Sequence, residues 1–163
     1  MISTAERRMF AKKITESDAF LEMPSSTQML YFHLSMNADD DGFVNNPKKI
    51  QRMCGASDDD FRLLIAKSFV LTFDSGIIVI KHWKMHNYIQ SDRYVPTDYT
   101  DEKSMLGLKK NKAYTFDESK MVTRCIQDSK NKEKKTAYNR NSFNHKEQNN
   151  YDYGKIEKGL GIT

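Results

Sequence analysis

The sequence is poor in the residues that build several familiar kinds of site. Its 163 residues include two cysteines, three prolines and seven glycines. Two cysteines, Cys54 and Cys125, make neither a disulfide framework nor a cysteine-based zinc site. The glycines stand singly, and none opens a helix in the spacing of a phosphate-binding loop. These absences exclude the commonest signatures of redox, zinc and nucleotide-hydrolysing proteins and favour a binding module.

Long apolar runs are also missing. No segment approaches the roughly 20 apolar residues of a membrane span, and the N-terminus has no signal-peptide pattern. The mean hydropathy is −0.74, low for a chain that is globular from end to end. We therefore expect a cytoplasmic protein with no membrane partner, whose apolar residues are concentrated in one part of the chain.

Charge divides the chain into two parts. Residues 1–100 carry a net charge of −1, whereas residues 101–163 carry +5. This asymmetry predicts a basic tail on a near-neutral folded body. From residue 117 onwards the composition is typical of disorder. Four tail aromatics are interleaved with lysines, a pattern compatible either with stacking on single-stranded nucleic acid or with a solvated tail that binds nothing: Tyr138, Phe143, Tyr151 and Tyr153.

The clearest local pattern begins at Asn46. Asn46 is a good N-cap and Pro47 suits the first helical position, while Gly55 suits a left-handed helix end. Ser57 then caps a second helix, with Asp60 at the third helical position as in a capping box. Two helices joined by a short glycine-containing turn are typical of a helix-turn-helix.

A β-hairpin is predicted next, with Asp74-Ser75-Gly76 as its turn and Phe43-Val44 as an additional pairing strand. The segment 77–80 is apolar on both faces, although a single core requires only one apolar face. We therefore predict that Ile77 and Val79 form an outward-facing surface for self-association.

The predicted fold class is mainly α with a small β-hairpin (α+β). It consists of a winged helix-turn-helix over residues 1–100, a short extension over 101–116 packing on or next to it, and a largely disordered basic tail over 117–163. Within the extension, residues 102–108 are candidates for one or two helical turns and residues 113–116 for a short strand. Ser25 or Ser26 is expected to cap a helix that reaches about Asn37. This helix is expected to be buried over most of its circumference, because Met29, Phe32 and Met36 form a second apolar stripe. Residues 1–14 are expected to form a short strand or an extended basic arm.

Two further clusters are explained without metals. Asp39-Asp40-Asp41-Gly42 indicates a turn, and it lacks the glutamate that a calcium loop needs at its twelfth position. His82 and His86 are four residues apart, but on a strand leaving the sheet they would not share a face as zinc ligands. We therefore expect no metal site, no cofactor and no catalytic residue.

Two long segments carry a family resemblance: RRMFAKKITESDAFLEMPSSTQMLYFHLSMNADDDGFVNNPKKIQRMCGASDDD and LLIAKSFVLTFDSGIIVIKHWKMHNYIQSDRYVPT. They resemble the N-terminal winged-helix domain of phage replisome organiser proteins, the DnaD-like replication initiators of Gram-positive bacteria and their phages. The resemblance implies a role in DNA replication initiation in the host cell cytoplasm, with self-association and possible contact to helicase-loading proteins. The second, helical domain of many members is not expected here, because the tail lacks helical periodicity.

Seven basic residues are candidates for phosphate contacts: Lys48, Lys49, Arg52, Arg62, Lys67, Lys81 and Lys84. Base reading by the second helix is disfavoured, because its N-terminal end carries Asp58, Asp59 and Asp60. We therefore expect a non-enzymatic, oligomeric module that binds duplex DNA through phosphates, with single strands as a further candidate. A protein-interaction adaptor without significant DNA binding is the alternative, and a sequence-specific transcription regulator is the third reading.

Overall fold

Helices and short strands alternate along the folded part of the chain. A computed structural model of the protein describes residues 5–119. The helices are α1 (Lys12–Thr15), α2 (Asp18–Leu21), α3 (Ser25–Met36), α4 (Pro47–Met53), α5 (Asp58–Ala66), α6 (Trp83–His86) and α7 (Thr100–Ser104). The strands are β1 (Phe43–Val44), β2 (Val70–Thr72), β3 (Ile78–Ile80), β4 (Leu106–Leu108) and β5 (Tyr114–Phe116).

Helix α3 is the centre of the helical layer. It begins after Pro24, which occupies the N-cap position that the sequence assigned to a serine. Leu30 and Tyr31 are fully buried, and their burial ties α3 to the core. Met29 and Met36, however, are 49% and 41% exposed. The expectation that α3 is buried over most of its circumference is therefore wrong, because Met29 and Met36 of the second apolar stripe lie on the outer side, although Phe32 packs against the core.

Helices α4 and α5 begin and end as the sequence predicts. The Asn46 side chain accepts a hydrogen bond from the Lys49 amide at 3.0 Å. Ser57 and Asp60 form both halves of the capping box, so two otherwise unpaired amides at the start of α5 are satisfied. Gly55 has a positive φ of 69° in the turn between the helices. These local predictions are confirmed.

The first sheet has three antiparallel strands in the order β1-β3-β2. Val79 of β3 pairs with Phe43 on one side and with Leu71 on the other, which confirms the predicted pairing of β1. The connecting turn between β2 and β3 contains Gly76 at φ +83°, as predicted. Since β3 is the middle strand, both of its edges are used within the chain.

A second hairpin, β4-β5, covers one face of this sheet. Residues paired across antiparallel strands share a face, so Phe43 and Val79 point the same way, with Phe73 beside them. The ring of Tyr99 lies 6.2 Å from that of Phe43, and Phe116 lies 5.6 Å from Phe73. The short strand expected near 113–116 is confirmed as β5, whereas residues 106–108, expected as helix, form its partner strand.

The N-terminal arm is fixed to α6 rather than lying free. The Met9 amide donates to Asn87 Oδ1 at 2.9 Å, and the Ala11 amide donates to His86 Nδ1 at 2.9 Å. His86 Nε2 is 2.7 Å from the Tyr31 hydroxyl. Residues 82–86 thus form a helical turn, not the departing strand expected from the sequence, and His86 is used to attach the arm.

The described residues therefore form a mixed structure of helices and small antiparallel sheets. This agrees with the predicted α+β class. They fall within one compact unit, Met1–Lys120. Residues 120–163, with Cys125 and the four tail aromatics, lie outside the described residues, so the predicted disorder of the tail stays a prediction.

Candidate nucleic-acid interface

Helix α4 presents the most accessible of the predicted cations. Ile50 and Gln51 are buried, so the opposite side of the helix faces solvent. Lys49 and Arg52 lie three residues apart on that side, and both are exposed. Within residues 5–119, neither side chain forms an ion pair. Both can therefore approach a phosphate without first breaking an internal contact.

Lys48 differs from these two neighbours because it joins α4 to α5. Its Nζ lies 2.9 Å from Asp58 Oδ1, and the Gln51 amide donates to the same oxygen. The hydrogen bond from Gln51, followed by that from Lys48, lowers the pKa of Asp58. Both partners of this ion pair remain largely exposed, so Lys48 is a weaker candidate but can still be reached from solvent.

The acidic start of α5 is used within the protein. Asp60 is buried, and its Oδ1 accepts hydrogen bonds from Ser26 Oγ at 2.7 Å and Thr27 Oγ1 at 2.6 Å, both on α3. The bond from Thr27 is the largest cause that lowers the pKa of Asp60 to about 2. Asp60 thus holds α5 against α3 as well as capping it, which gives the carboxylate a structural purpose.

Cations on and after α5 are also paired. Arg62 lies 3.3 Å from Asp59 within its own helix, an exposed contact of little energetic weight. Lys67 Nζ lies 3.0 Å from Glu22 Oε2, across the junction between the end of α5 and α2. These two residues can contact DNA only by exchanging an existing partner for a phosphate.

The two predicted cations after β3 are less accessible than Lys49 and Arg52. Lys84 donates to Asp41 Oδ1 at 3.0 Å, and Asp41 is buried. Lys81 is half-buried, and burial, followed by the charge of Lys109, lowers its pKa. Lys84 shares the buried Asp41 carboxylate with Lys103, so replacing Lys84 would remove an internal ion pair as well as any phosphate contact.

The expected outward surface of β3 is corrected by the structure. Val79 is 0% exposed, and Ile77 is half-buried against the core. The segment of the same chain that contains Tyr99 and Phe116 packs on the second apolar face. A doubly apolar strand therefore indicates here a strand between two layers of one domain, rather than an interface with a second copy.

The aspartate turn before β1, for which the sequence predicts only a local turn, organises distant parts of the chain. Asp40 accepts from Arg8 at 3.1 Å and from the Val95 amide at 3.0 Å. Its backbone carbonyl accepts from Trp83 Nε1 at 2.8 Å. The sequence signal was the unusual run of three aspartates, but its partners lie more than 30 residues away and leave no local pattern.

Among residues 5–119, no group of histidine, cysteine and acidic side chains is arranged to hold a metal ion. Nor does that part of the chain contain a helix long and apolar enough to cross a membrane. No protein-family model, no curated protein and no solved structure matches the chain.

Proposed function

We propose that this chain is a non-enzymatic DNA-binding module of the winged-helix type, acting in DNA replication initiation in the host cell cytoplasm. The element order α3-β1-α4-α5-β2-β3 supports the winged-helix interpretation, with the β2-β3 hairpin as the wing. The resemblance to replisome organisers supports the replication role. The proposal rests above all on one observation: Lys49 and Arg52 stand exposed and without ion pairs among the described residues.

Phosphate contact is the binding mode that these residues favour. A cation that is not already paired gains affinity by releasing counterions from DNA, whereas a paired one must give up its partner. The internal use of Asp58 and Asp60 leaves the start of α5 poorly suited to reading bases. Binding should therefore depend strongly on salt and weakly on sequence, which makes a sequence-specific regulator the less favoured alternative.

The test is a titration of the full-length protein with a random duplex at several salt concentrations, followed by fluorescence anisotropy. Replacing both Lys49 and Arg52 by Gln should make the slope of log K against log salt shallower by about 2, since each removes about one phosphate contact. A matched control is the double change Lys12→Gln and Lys13→Gln, which removes the same charge from α1. Equal slopes in the two double variants would contradict the proposed site.

The predicted tail adds a second, separable part of the proposal. Residues 120–163 contain ten Lys and Arg against five Asp and Glu, so their removal takes away a net charge of +5 and leaves the chain at −1. A chain ending at Ser119 should retain the contribution of Lys49 and Arg52 but bind duplex DNA more weakly and with a shallower salt slope. If the salt slope is the same with and without residues 120–163, the folded part alone makes the phosphate contacts.

Protein partners remain part of the proposal. Self-association is proposed through a surface other than Ile77 and Val79, and sedimentation equilibrium measures it directly. Helicase-loading proteins of the host or phage are the other proposed partners. If the full-length protein binds no DNA at low salt, the adaptor interpretation replaces the DNA-binding one.

A further inference from the structure

A groove of about 360 Å³ lies where the N-terminal arm meets the segment after α6. Its polar and aromatic lining residues are Arg7, Arg8, Asp40, Tyr88, Gln90 and Arg93. None of these residues lies on α5 or on α4, which carries the candidate phosphate contacts Lys49 and Arg52. The groove is therefore a separate feature of the molecule, with its own charge and an aromatic residue.

The charge of the groove comes from its two exposed arginines. The Arg8 side chain is buried, and it donates to Asp40 at 3.1 Å and to the Ala38 carbonyl at 2.7 Å, with its guanidinium over the ring of Trp83. That ion pair is neutral as a unit. Arg7 and Arg93 are exposed and form no ion pair within the described part of the chain. The lip of the groove thus carries two exposed arginines that form no ion pair among residues 5–119.

Tyr88 places an aromatic ring at the same groove. It is 79% exposed, although its sequence neighbours Asn87 and Ile89 are buried and half-buried. Removing the faces of a tyrosine ring from water lowers the free energy. In the folded protein most of the Tyr88 ring stays in water, so this stabilisation is still available to a ligand. Its open ring is therefore available to stack on a planar group of a ligand.

The two sides of the groove are held in place by the fold. The Asn87 side chain accepts a hydrogen bond from the Met9 amide at 2.9 Å. This bond joins the residue before Tyr88 to the arm two residues after Arg7. On the other lip, the Arg93 amide donates to the Gln90 carbonyl at 3.0 Å and closes a turn. A site whose walls are fixed before binding loses less conformational freedom when a ligand arrives.

From this arrangement we infer that the groove binds single-stranded nucleic acid, with phosphates at Arg7 and Arg93 and one base stacked on Tyr88. Aromatic rings beside cations are the usual means of binding single strands without sequence preference. A duplex cannot use the ring, because its bases are already stacked on one another. An acidic peptide would match the two arginines but would leave Tyr88 without a planar partner. The inference rests on the proposed DNA-binding function and adds a second substrate form to it.

The test compares an oligothymidylate of about 16 nucleotides with a duplex of the same length on the full-length protein. Tyr88→Ala should weaken binding to the single strand about tenfold, equivalent to about 1.4 kcal/mol, and leave duplex affinity within about twofold. Tyr88→Phe keeps the ring and should bind both substrates as the unchanged protein does. Replacing Arg7 and Arg93 together by Gln should make the single-strand salt slope shallower by about 1.4.

Each outcome has a separate meaning. If Tyr88→Ala binds the single strand as tightly as the unchanged protein, or loses both substrates equally, the groove assignment is wrong while duplex binding through Lys49 and Arg52 stands. If the unchanged protein binds neither substrate, the proposed function fails as well. Displacement of the oligothymidylate by polyglutamate at matched charge, without any effect of Tyr88→Ala, would identify the groove as a site for acidic peptides.

Discussion

The ammonium group of Lys103 lies 2.8 Å from Oδ2 of Asp41, although the two residues are 62 positions apart in the chain. The same oxygen accepts from the Tyr94 hydroxyl at 2.7 Å and from the Thr97 amide at 3.0 Å, and the other carboxylate oxygen accepts from Lys84. Burial by itself would raise the pKa of Asp41, but these hydrogen bonds outweigh it and lower the pKa to about 2. One carboxylate thus attaches residues 84–103 to the turn before β1.

Replacing Asp41 with Asn should lower the free energy of unfolding by about 2–3 kcal/mol. Breaking a fully buried ion pair costs about 3–5 kcal/mol, and the lower figure applies because Lys84 and Lys103 partly reach water. Urea unfolding measures the difference, with Asp74→Asn in the exposed β2-β3 turn as the control, expected within about 0.5 kcal/mol of the unchanged protein. The variant should also lose less stability as the pH falls from about 4 to about 2. Equal effects at the two positions would contradict the structural role of Asp41.

Gly42 offers a test of the packing around Trp83. A Cβ built on Gly42 would lie 2.5 Å from Trp83 Cγ, and the backbone there has a φ of +91°. Gly42→Ala should therefore cost about 3 kcal/mol or more, from overpacking together with backbone strain. Gly76 has a similar φ of +83° but nothing within 4 Å, so Gly76→Ala should cost only about 1–2 kcal/mol. Thermal unfolding of the two variants separates the packing cost from the strain they share, and equal midpoints would argue against the close contact.

Acid should weaken the attachment of the N-terminal arm through His86. Burial lowers the pKa of His86 to about 4, below its ordinary value of 6.5. The unfolded chain therefore takes up a proton at a higher pH than the folded chain does. The stability that neutral His86 contributes is complete above about pH 6.5 and is lost as the pH falls from there to about 4.

The measurement is the free energy of unfolding between neutral pH and about pH 4. His86→Gln keeps a hydrogen-bonding side chain but does not titrate, so its stability should fall less steeply over that range. Tyr31→Phe removes the hydroxyl that contacts His86 and should cost about 1 kcal/mol, yet keep the steep pH dependence because His86 is still buried. His82, whose pKa burial also lowers to about 4, contributes to the slope that remains. A His86→Gln slope equal to that of the unchanged protein would contradict this account.

Truncation tests how far the folded part extends. A chain ending at Thr100 loses both strands of the β4-β5 hairpin and uncovers the face of the sheet that carries Phe43, Phe73 and Val79. It should unfold without a cooperative transition and bind a hydrophobic dye. A chain ending at Ser119 keeps the hairpin and should unfold cooperatively at the same midpoint as the full-length protein. A cooperative, stable chain ending at Thr100 would show that the hairpin is dispensable.

Most of what could be predicted from the sequence concerns local structure. The Asn46 cap, the Ser57–Asp60 capping box and the left-handed Gly55 depend on residues within a few positions of one another. The turn at Gly76 and the pairing of β1 also followed from short patterns. The cations at Lys49 and Arg52 were identified in the same way, because their helix buries the opposite side.

The predictions that failed concern which surfaces are covered. Val79 was expected to face outwards and Met29 to be buried, because an apolar side chain in a sequence does not reveal what lies against it. The three aspartates of the turn were expected to be explained locally, whereas Asp40 and Asp41 bind partners from both ends of the described chain. Tyr88 and Arg93 acquire a common role only because the groove brings them to the arm.

Helix starts, turns and the stretches that can pair follow from the sequence, because capping, glycine conformations and strand alternation act over a few residues. Tertiary contacts are needed to see that β3 is covered on both faces, that Lys84 pairs with a buried carboxylate, and that Arg7 and Arg93 share a groove. Burial and charge pairing depend on residues that are distant in the chain and adjacent in space, and the fold alone sets those distances.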